Sequence, residues 1–197
     1  MTATRTVLHV GCGPRHIDGL HEMFRTPEWT EIRLDIDPAA EPDIVGSITG
    51  MPMVASGSMD AVWSANNLEH VFPHEVDLTV REFVRVLKPD GFLMLHVPDL
   101  RSICELVAQD ALEDVIYESE SGPITPIDMI FGLRSALAGG YLAMAHKTGF
   151  TGKTLRAALA RNGFTNIEIL ELPDAFQIWG LAYTRPVPNP LTLFVKP

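Results

Sequence analysis

Residues 7–14 read Val-Leu-His-Val-Gly-Cys-Gly-Pro. An apolar run rich in β-branched residues stops at two glycines spaced one apart. That is a buried strand ending where a ligand has to touch bare backbone. Gly11 and Gly13 carry no Cβ, so the chain can turn tightly there and leave room above it. Cys12, small and partly apolar, reads as packing between them rather than as a nucleophile. About twenty residues later, the spacing at which dinucleotide folds place their ribose acid, Asp35 closes a second apolar run, Glu31–Leu34. Strand, glycine loop and strand-end acid together are the means by which parallel α/β sheets hold an adenosine-bearing cofactor.

Outward from this core the pattern repeats. Thr6–Val10 is the first strand, and a short helix is expected over Asp18–Phe24, stopped by Thr26-Pro27. Pro42–Val45 and Asp60–Ser64 follow as strands. Val76, Val80, Phe83, Val84 and Leu87 share one face at helical spacing, and Lys88-Pro89-Asp90-Gly91 stops that helix. Phe92–Val97 is a strand buried on both faces. Strand-helix recurrence of this kind implies right-handed crossovers and a parallel sheet.

Residues 98–149 break the rhythm. Asp99 caps a helix carrying Ile103, Leu106 and Val107, and Ser119–Pro126 is turn-like. Thr125-Pro126-Ile127-Asp128 starts another helix, with Thr as N-cap, Pro at the first position and an acid near the dipole, and Gly139-Gly140 ends it. The insert is too long for a connector and is expected to cover the reactive end of a cofactor. Thr151 then caps a helix with Leu155, Ala158 and Leu159 inward. Ile167–Leu172 and Phe176–Tyr183, split by Pro173-Asp174, form an antiparallel hairpin at the sheet edge. The Pro-rich tail, through Pro197, is extended.

The chain has 197 residues, enough for one substantial core and short for two. A net charge of -10 argues against a surface built to neutralise phosphates, so no nucleic-acid partner is expected. Cys12 and Cys104 allow one disulfide at most, which is no stapled scaffold. No stretch approaches a membrane span, and the apolar run after Arg5 is too short for a signal peptide. The expected location is the cytoplasm. Oligomeric state is not legible.

Five segments carry a resemblance: VLHVGCGP (7–14), RLDIDP (33–38), DAVWSANNLEHV (60–71), REFVRVLKPDGFLMLHVPDL (81–100) and HKTGFTGKTLRAALARNGF (146–164). Together they resemble the class I S-adenosylmethionine-dependent methyltransferases of the type 11 kind, over about residues 6–183. The resemblance implies a Rossmann-like three-layer sandwich on one domain. Its mostly parallel sheet would have about seven strands and an antiparallel C-terminal edge hairpin. It also implies S-adenosylmethionine as cofactor. Gly11, Cys12 and Gly13 would lie under the methionine part, Asp35 and Ile36 at the ribose, Ser47 and Ile48 beside the adenine, and Ala65 and Asn66 at the amino group. The chain departs from the pattern at Ser47, where the family often has Asp, and at His16, where a third glycine is common. Asp35 is preferred over Asp37 because it directly ends the apolar run; Asp37 reads as the turn acid before Pro38.

Methyl transfer from a sulfonium is an in-line displacement by an acceptor lone pair. A base is needed only where the acceptor must lose a proton. His70 and His146 are the candidates, although His70 also reads as a packed imidazole anchoring its loop. His96 reads as a core histidine with a backbone partner, and Tyr117 and Tyr141 as acceptor-pocket linings or packing. Asn66-x-x-Glu69-His70-x-x-x-His74 is similar to a metal-binding arrangement of some relatives, with three of its four positions matching. The missing first carboxylate weakens a hard-cation site, so no metal is expected.

The expected function is methyl transfer to a small-molecule acceptor. A non-catalytic S-adenosylmethionine-binding sensor or assembly protein is the alternative. An NAD-dependent oxidoreductase fits less well, because His16 replaces the third glycine and no second mononucleotide half follows.

Overall fold

The computed structural model describes residues 4–16, 19–188 and 190–193. Its centre is a seven-stranded sheet of β1 (Arg5–Val10), β2 (Trp29–Asp35), β3 (Ile44–Val45), β4 (Met59–Ala65), β5 (Leu87–Pro98), β8 (Asn166–Leu172) and β9 (Gln177–Tyr183). The order is β3-β2-β1-β4-β5-β9-β8. β9 is antiparallel to both β5 and β8, and the pairings among the first five are parallel. The order turns outward from β1 and β4 in opposite directions, so the crevice beyond their C-terminal ends is the place for a ligand.

Side-chain alternation sorts the two faces. Leu8, Val10, Val62, Leu93 and Leu95 point to one side, where α1 (Val76–Val86) packs with Val80 and Phe83, and α5 (Gly152–Arg161) with Leu155 and Leu159. Val7, Trp63, Phe92, Met94 and Leu181 point to the other and meet Leu20, Met23, Phe24, Val187 and Leu193. This second layer is aromatic: Trp63 lies 5.7 Å from Trp179 and 5.3 Å from His21. Both cysteines are free. Burial pushes the Cys12 thiol up to about 11, which fits packing.

Several expectations need correcting. Where a helix was expected over Asp18–Phe24, the chain makes only a 3-10 turn at Glu22–Phe24; Asp18 lies outside the described residues, as does Pro197. Phe24 is anchored between Trp29 and Phe92, and that packing rather than helical hydrogen bonding fixes the segment. β5 begins at Leu87 instead of Phe92, because the residues before Pro89 are driven extended. The turn-like stretch from Ser119 is a hairpin of β6 (Tyr117–Ser119) and β7 (Gly122–Ile124).

The 98–149 insert contains α2 (Leu100–Val107), that hairpin, α3 (Pro126–Phe131) and α4 (Arg134–Ala138). Asp99 caps α2 through Arg101 N–H, and Thr125 and Asp128 form a capping box on α3. The helix does not run on to Gly139: Gly132 breaks it at φ +98°. A Cβ at Gly132 would overlap the Met144 carbonyl oxygen. Gly132→Ala is therefore expected to cost at least about 1–3 kcal/mol in backbone strain alone. Hydrogen exchange should quicken across 126–146 and stay unchanged in the sheet. Unchanged protection in that segment would refute this.

Asp128 also pins the insert. Its carboxylate accepts from Thr125 Oγ1 at 2.6 Å and from Arg134 Nε at 2.9 Å. Burial works to raise its pKa, but these hydrogen bonds outweigh burial and hold it at about 2 against an ordinary 3.8. The folded-state value is depressed, so the stabilisation is complete above the ordinary value and is lost as pH falls toward about 2. Acid titration of the insert should show a step in that window that Asp128→Asn removes. An identical step in the variant would contradict the assignment.

Candidate functional site

The first loop is tied to the end of β2. Asp35, 6% exposed, accepts from Gly13 N–H through Oδ2 and from Asp37 N–H through Oδ1, each at 2.8 Å. Each oxygen keeps a lone pair for a further donor. Asp37 caps the turn Pro38–Ala40 by accepting from Ala39 N–H at 2.8 Å, which is the turn role its place before Pro38 suggested.

Arg33 completes this anchorage and was not singled out in the sequence. It is 2% exposed, and its guanidinium donates to the main-chain oxygens of Gly13, Ala40 and Glu41. A signal existed: an arginine two residues before the strand-end acid, inside an apolar strand. A buried cation there has to find acceptors.

Gly11 and Gly13 both have positive φ, +60° and +57°. They differ in surroundings. The space above Gly13 is open, whereas a Cβ on Gly11 would run into the Asn67 side chain. Asn67 reaches that position because Asn66, with φ +44°, turns the chain sharply after β4. Left-handed geometry suits asparagine better than most residues. Asn67 Nδ2 is buried and without a hydrogen-bond partner. Cys12 and Ile48 are buried in the core, Ile36 is exposed, and Ser47 pairs its hydroxyl with Thr49 Oγ1 at 2.9 Å. Ala65 and Asn66 stand at the β4 exit.

These features fit a nucleoside cofactor. A fixed carboxylate with free lone pairs, an open glycine and an orphaned buried amide all lie at the ends of β1, β2 and β4. The insert reaches this region too. Burial and the nearby Asp35 and Asp37 carboxylates raise the Tyr141 phenol, which is hydrogen-bonded to Asp37.

A second constellation lies beside the first. Leu68–His70 is a 3-10 turn rather than the start of α1. Its Glu69 is 1% exposed, and neither carboxylate oxygen has a partner. Burial without compensation pushes its carboxyl up to about 8. The Glu69 carbonyl receives Lys147 N–H at 2.8 Å and Thr148 N–H at 3.1 Å, which stitches the end of the insert to this turn. His70 and His146 come together, with ring centroids 4.8 Å apart. His70 Nδ1 contacts the Ala145 carbonyl at 3.1 Å, and His146 Nδ1 the Met129 carbonyl at 2.8 Å. A carbonyl can only accept, so each Nδ1 carries the proton and each Nε2 is left with a lone pair. Burial lowers both imidazoles, His146 to about 4.

A cavity of about 220 Å³ opens here, lined by Asn66, Glu69, His70, Tyr117 and His146 among others. A neighbouring one of about 240 Å³ shares Glu69 and His146. Tyr117 is thus a lining residue, while Tyr141 stands at the Asp35 side instead. His74 is drawn away from the group and stacks on Phe72, with centroids 5.7 Å apart. His96 does not have the backbone partner expected of it. Its Nδ1 is unpartnered and its ring stacks on Trp179 at 4.7 Å, because the aromatic layer surrounds it.

Among the described residues, no helix is long and apolar enough to cross a membrane. Residues 8–95 match the family model described as a methyltransferase domain. No curated protein matches the chain. Among solved structures, the CMeT domain of the citrinin polyketide synthase superposes with a TM-score of 0.60 at 16% identity, over 92% of this chain. This chain spans only 46% of that one. A Pyrococcus horikoshii OT3 protein gives 0.58 at 17% identity, over 93% of this chain and 83% of its own. A SAM-dependent methyltransferase from Archaeoglobus fulgidus gives 0.56 at 14% identity, over 91% and 86%. These likenesses concern the fold, and the matched stretch carries the glycine loop, Asp35 and the β4 exit. By that stretch and this strand order the chain resembles the class I S-adenosylmethionine-dependent methyltransferases.

Proposed function

We propose that this chain is an S-adenosylmethionine-dependent methyltransferase and that it acts on a small-molecule acceptor seated between the insert and the β4 exit. The observation that carries the reading is the cavity of about 220 Å³ that runs from Asn66 to His146. It is smaller than the roughly 300–1,000 Å³ of drug-sized pockets, which favours a compact acceptor over a polymer. The net charge of -10 also favours a small acceptor over a nucleic acid.

S-adenosylmethionine supplies a methyl group already activated by its sulfonium charge. The chain's own work is then placement. Asp35 would hold the ribose hydroxyls. Gly11, Cys12 and Gly13 would border the methionine part, and Ala65, Asn66 and the orphaned Asn67 amide its polar end. Ile36 would sit beside Asp35 at the ribose, and Ser47 and Ile48 would flank the adenine. On the acceptor side, His70 and His146 line the cavity, and both are neutral at pH 7 because burial lowers them. In the protein without a bound cation, either can take the proton that an acceptor hydroxyl or amine gives up. The insert keeps bulk water from the reacting atoms.

Calorimetry with S-adenosylhomocysteine tests the donor site, and labelled-methyl transfer to a panel of small hydroxyl and amine acceptors tests turnover. His146→Ala should keep donor binding and lose turnover by about 10²-fold or more, the size of a general-base contribution. Donor binding with no turnover on any acceptor would favour the sensor reading. Turnover undiminished in His146→Ala would remove His146 from the chemistry.

A further inference from the structure

We infer that Glu69, His70 and His146 form a binding site for a divalent transition-metal ion, with Zn²⁺, Co²⁺ or Mn²⁺ as the class of occupant. The inference starts from a defect. Glu69 is almost fully enclosed, and both its carboxylate oxygens lack any hydrogen-bond partner. A buried carboxylate left so needs something to compensate it. One oxygen of Glu69 and one nitrogen from each of His70 and His146 lie within 4.8 Å of one another.

The imidazoles are oriented as metal ligands are. Each spends its Nδ1 proton on a main-chain carbonyl, Ala145 for His70 and Met129 for His146. That outer contact fixes the tautomer and gives Nε2 the lone pair. The His70 ring also hydrogen-bonds the carbonyl of Asn66. Ligand atoms at about 2.0–2.1 Å around a tetrahedral ion stand roughly 3.3 Å apart. The three side chains therefore have to close by at most about 1.5 Å, which small side-chain rotations can supply.

Two imidazoles and one carboxylate are a borderline donor set. It suits zinc, cobalt, manganese or ferrous iron better than magnesium or calcium, which require oxygen ligands. Three protein ligands leave at least one coordination position, and the trio lines the cavity, so that position faces it. The other charges nearby are accounted for. Asp128 lines the same cavity, but Thr125 and Arg134 occupy its oxygens. Lys147 adds positive charge near His70, with its amino group 5.1 Å from the Phe72 ring centroid. The site thus relies on the single charge that Glu69 takes on when a cation displaces its proton.

The ligand set differs from the sequence motif. His74, which the spacing offers as the second imidazole, is stacked on Phe72 and takes no part in the cluster. His146 replaces it from the far end of the insert.

The inference does not depend on the methyl-transfer reading, and its test does not use turnover. Chelator-treated full-length protein is titrated with ZnCl₂, MnCl₂ and MgCl₂ by calorimetry, and with CoCl₂ by visible absorption. Saturable one-to-one zinc and cobalt binding is expected, with visible cobalt bands and zinc at least about tenfold tighter than magnesium. His146→Ala and Glu69→Gln should each weaken zinc by at least about tenfold, whereas His74→Ala should match wild type. Thermal melts confirm that each variant folds, and if Glu69→Gln does not, His146→Ala decides. Absence of zinc and cobalt binding by the wild type overturns the inference. So does undiminished affinity in folded His146→Ala, or a loss confined to His74→Ala. S-adenosylhomocysteine binding, measured on the same metal-free protein, reports on the donor site separately.

Discussion

Asp35→Ala should weaken S-adenosylhomocysteine binding by at least about 100-fold. Hydrogen bonds to a charged acceptor are worth about 1.5–3 kcal/mol each. Two of them to ribose hydroxyls reach about 3 kcal/mol, and 1.4 kcal/mol is about tenfold. The variant also frees Gly13 N–H and Asp37 N–H, both of which the carboxylate holds at 2.8 Å, so the first loop loses its fixed position. Asp35→Asn keeps one acceptor oxygen and should fall between, at about tenfold. Asp37→Ala removes a turn cap and the Tyr141 contact but leaves Asp35 in place, and should change binding far less. Calorimetry with matched circular dichroism checks all three. If Asp37→Ala proves the more damaging, the two acids have been assigned the wrong way round.

The second large effect is structural. Arg33→Met should lower stability by about 3 kcal/mol, because three main-chain carbonyls lose a charged donor in a site that excludes water. For a chain of this size each kcal/mol shifts Tm by about 2–4 °C, so a drop of about 6–12 °C is expected. Arg33→Lys should recover less than half of it, since a single ammonium cannot reproduce a planar fork. Donor binding should weaken in parallel, because Gly13 is one of the three carbonyls. Replacement of a buried charge by an apolar side chain is neutral or stabilising in some proteins. A Met variant with an unchanged Tm would put Arg33 in that group and end its proposed role as anchor of the first loop.

The two variants probe one piece of architecture. Asp35 faces the crevice and Arg33, two residues earlier on the same strand, holds the floor beneath it. Alternation along β2 puts both on the same side of the sheet, with Leu34 turned toward the α1 and α5 core. The acid was legible because it ends an apolar run before a proline. The arginine was legible only as an oddity, since nothing local says which carbonyls it reaches. The same limit explains the lost helix at 18–24. Its composition allowed a helix, but Phe24 gains more from wedging between Trp29 and Phe92 than from continuing a helical turn. Gly132 shows it too, because the break before α4 serves a close approach to Met144, twelve residues along the chain.

Short-range chemistry determined the strand-loop-acid unit at 7–35, the amphipathic α1 and α5, the capping box at Thr125 and Asp128, and the antiparallel hairpin at the sheet edge. Each depends on period, caps or turn residues that a few neighbours specify. The chain alone could not choose between His74 and His146 as the partner of Glu69 and His70. His74 is four residues from His70 and sits within the motif. Yet the fold brings in His146, as the insert closes back on the β4 exit through hydrogen bonds to the Glu69 carbonyl. Contacts between residues more than seventy positions apart leave no periodic trace in a sequence. They exist only once the sheet has placed both ends of the insert side by side.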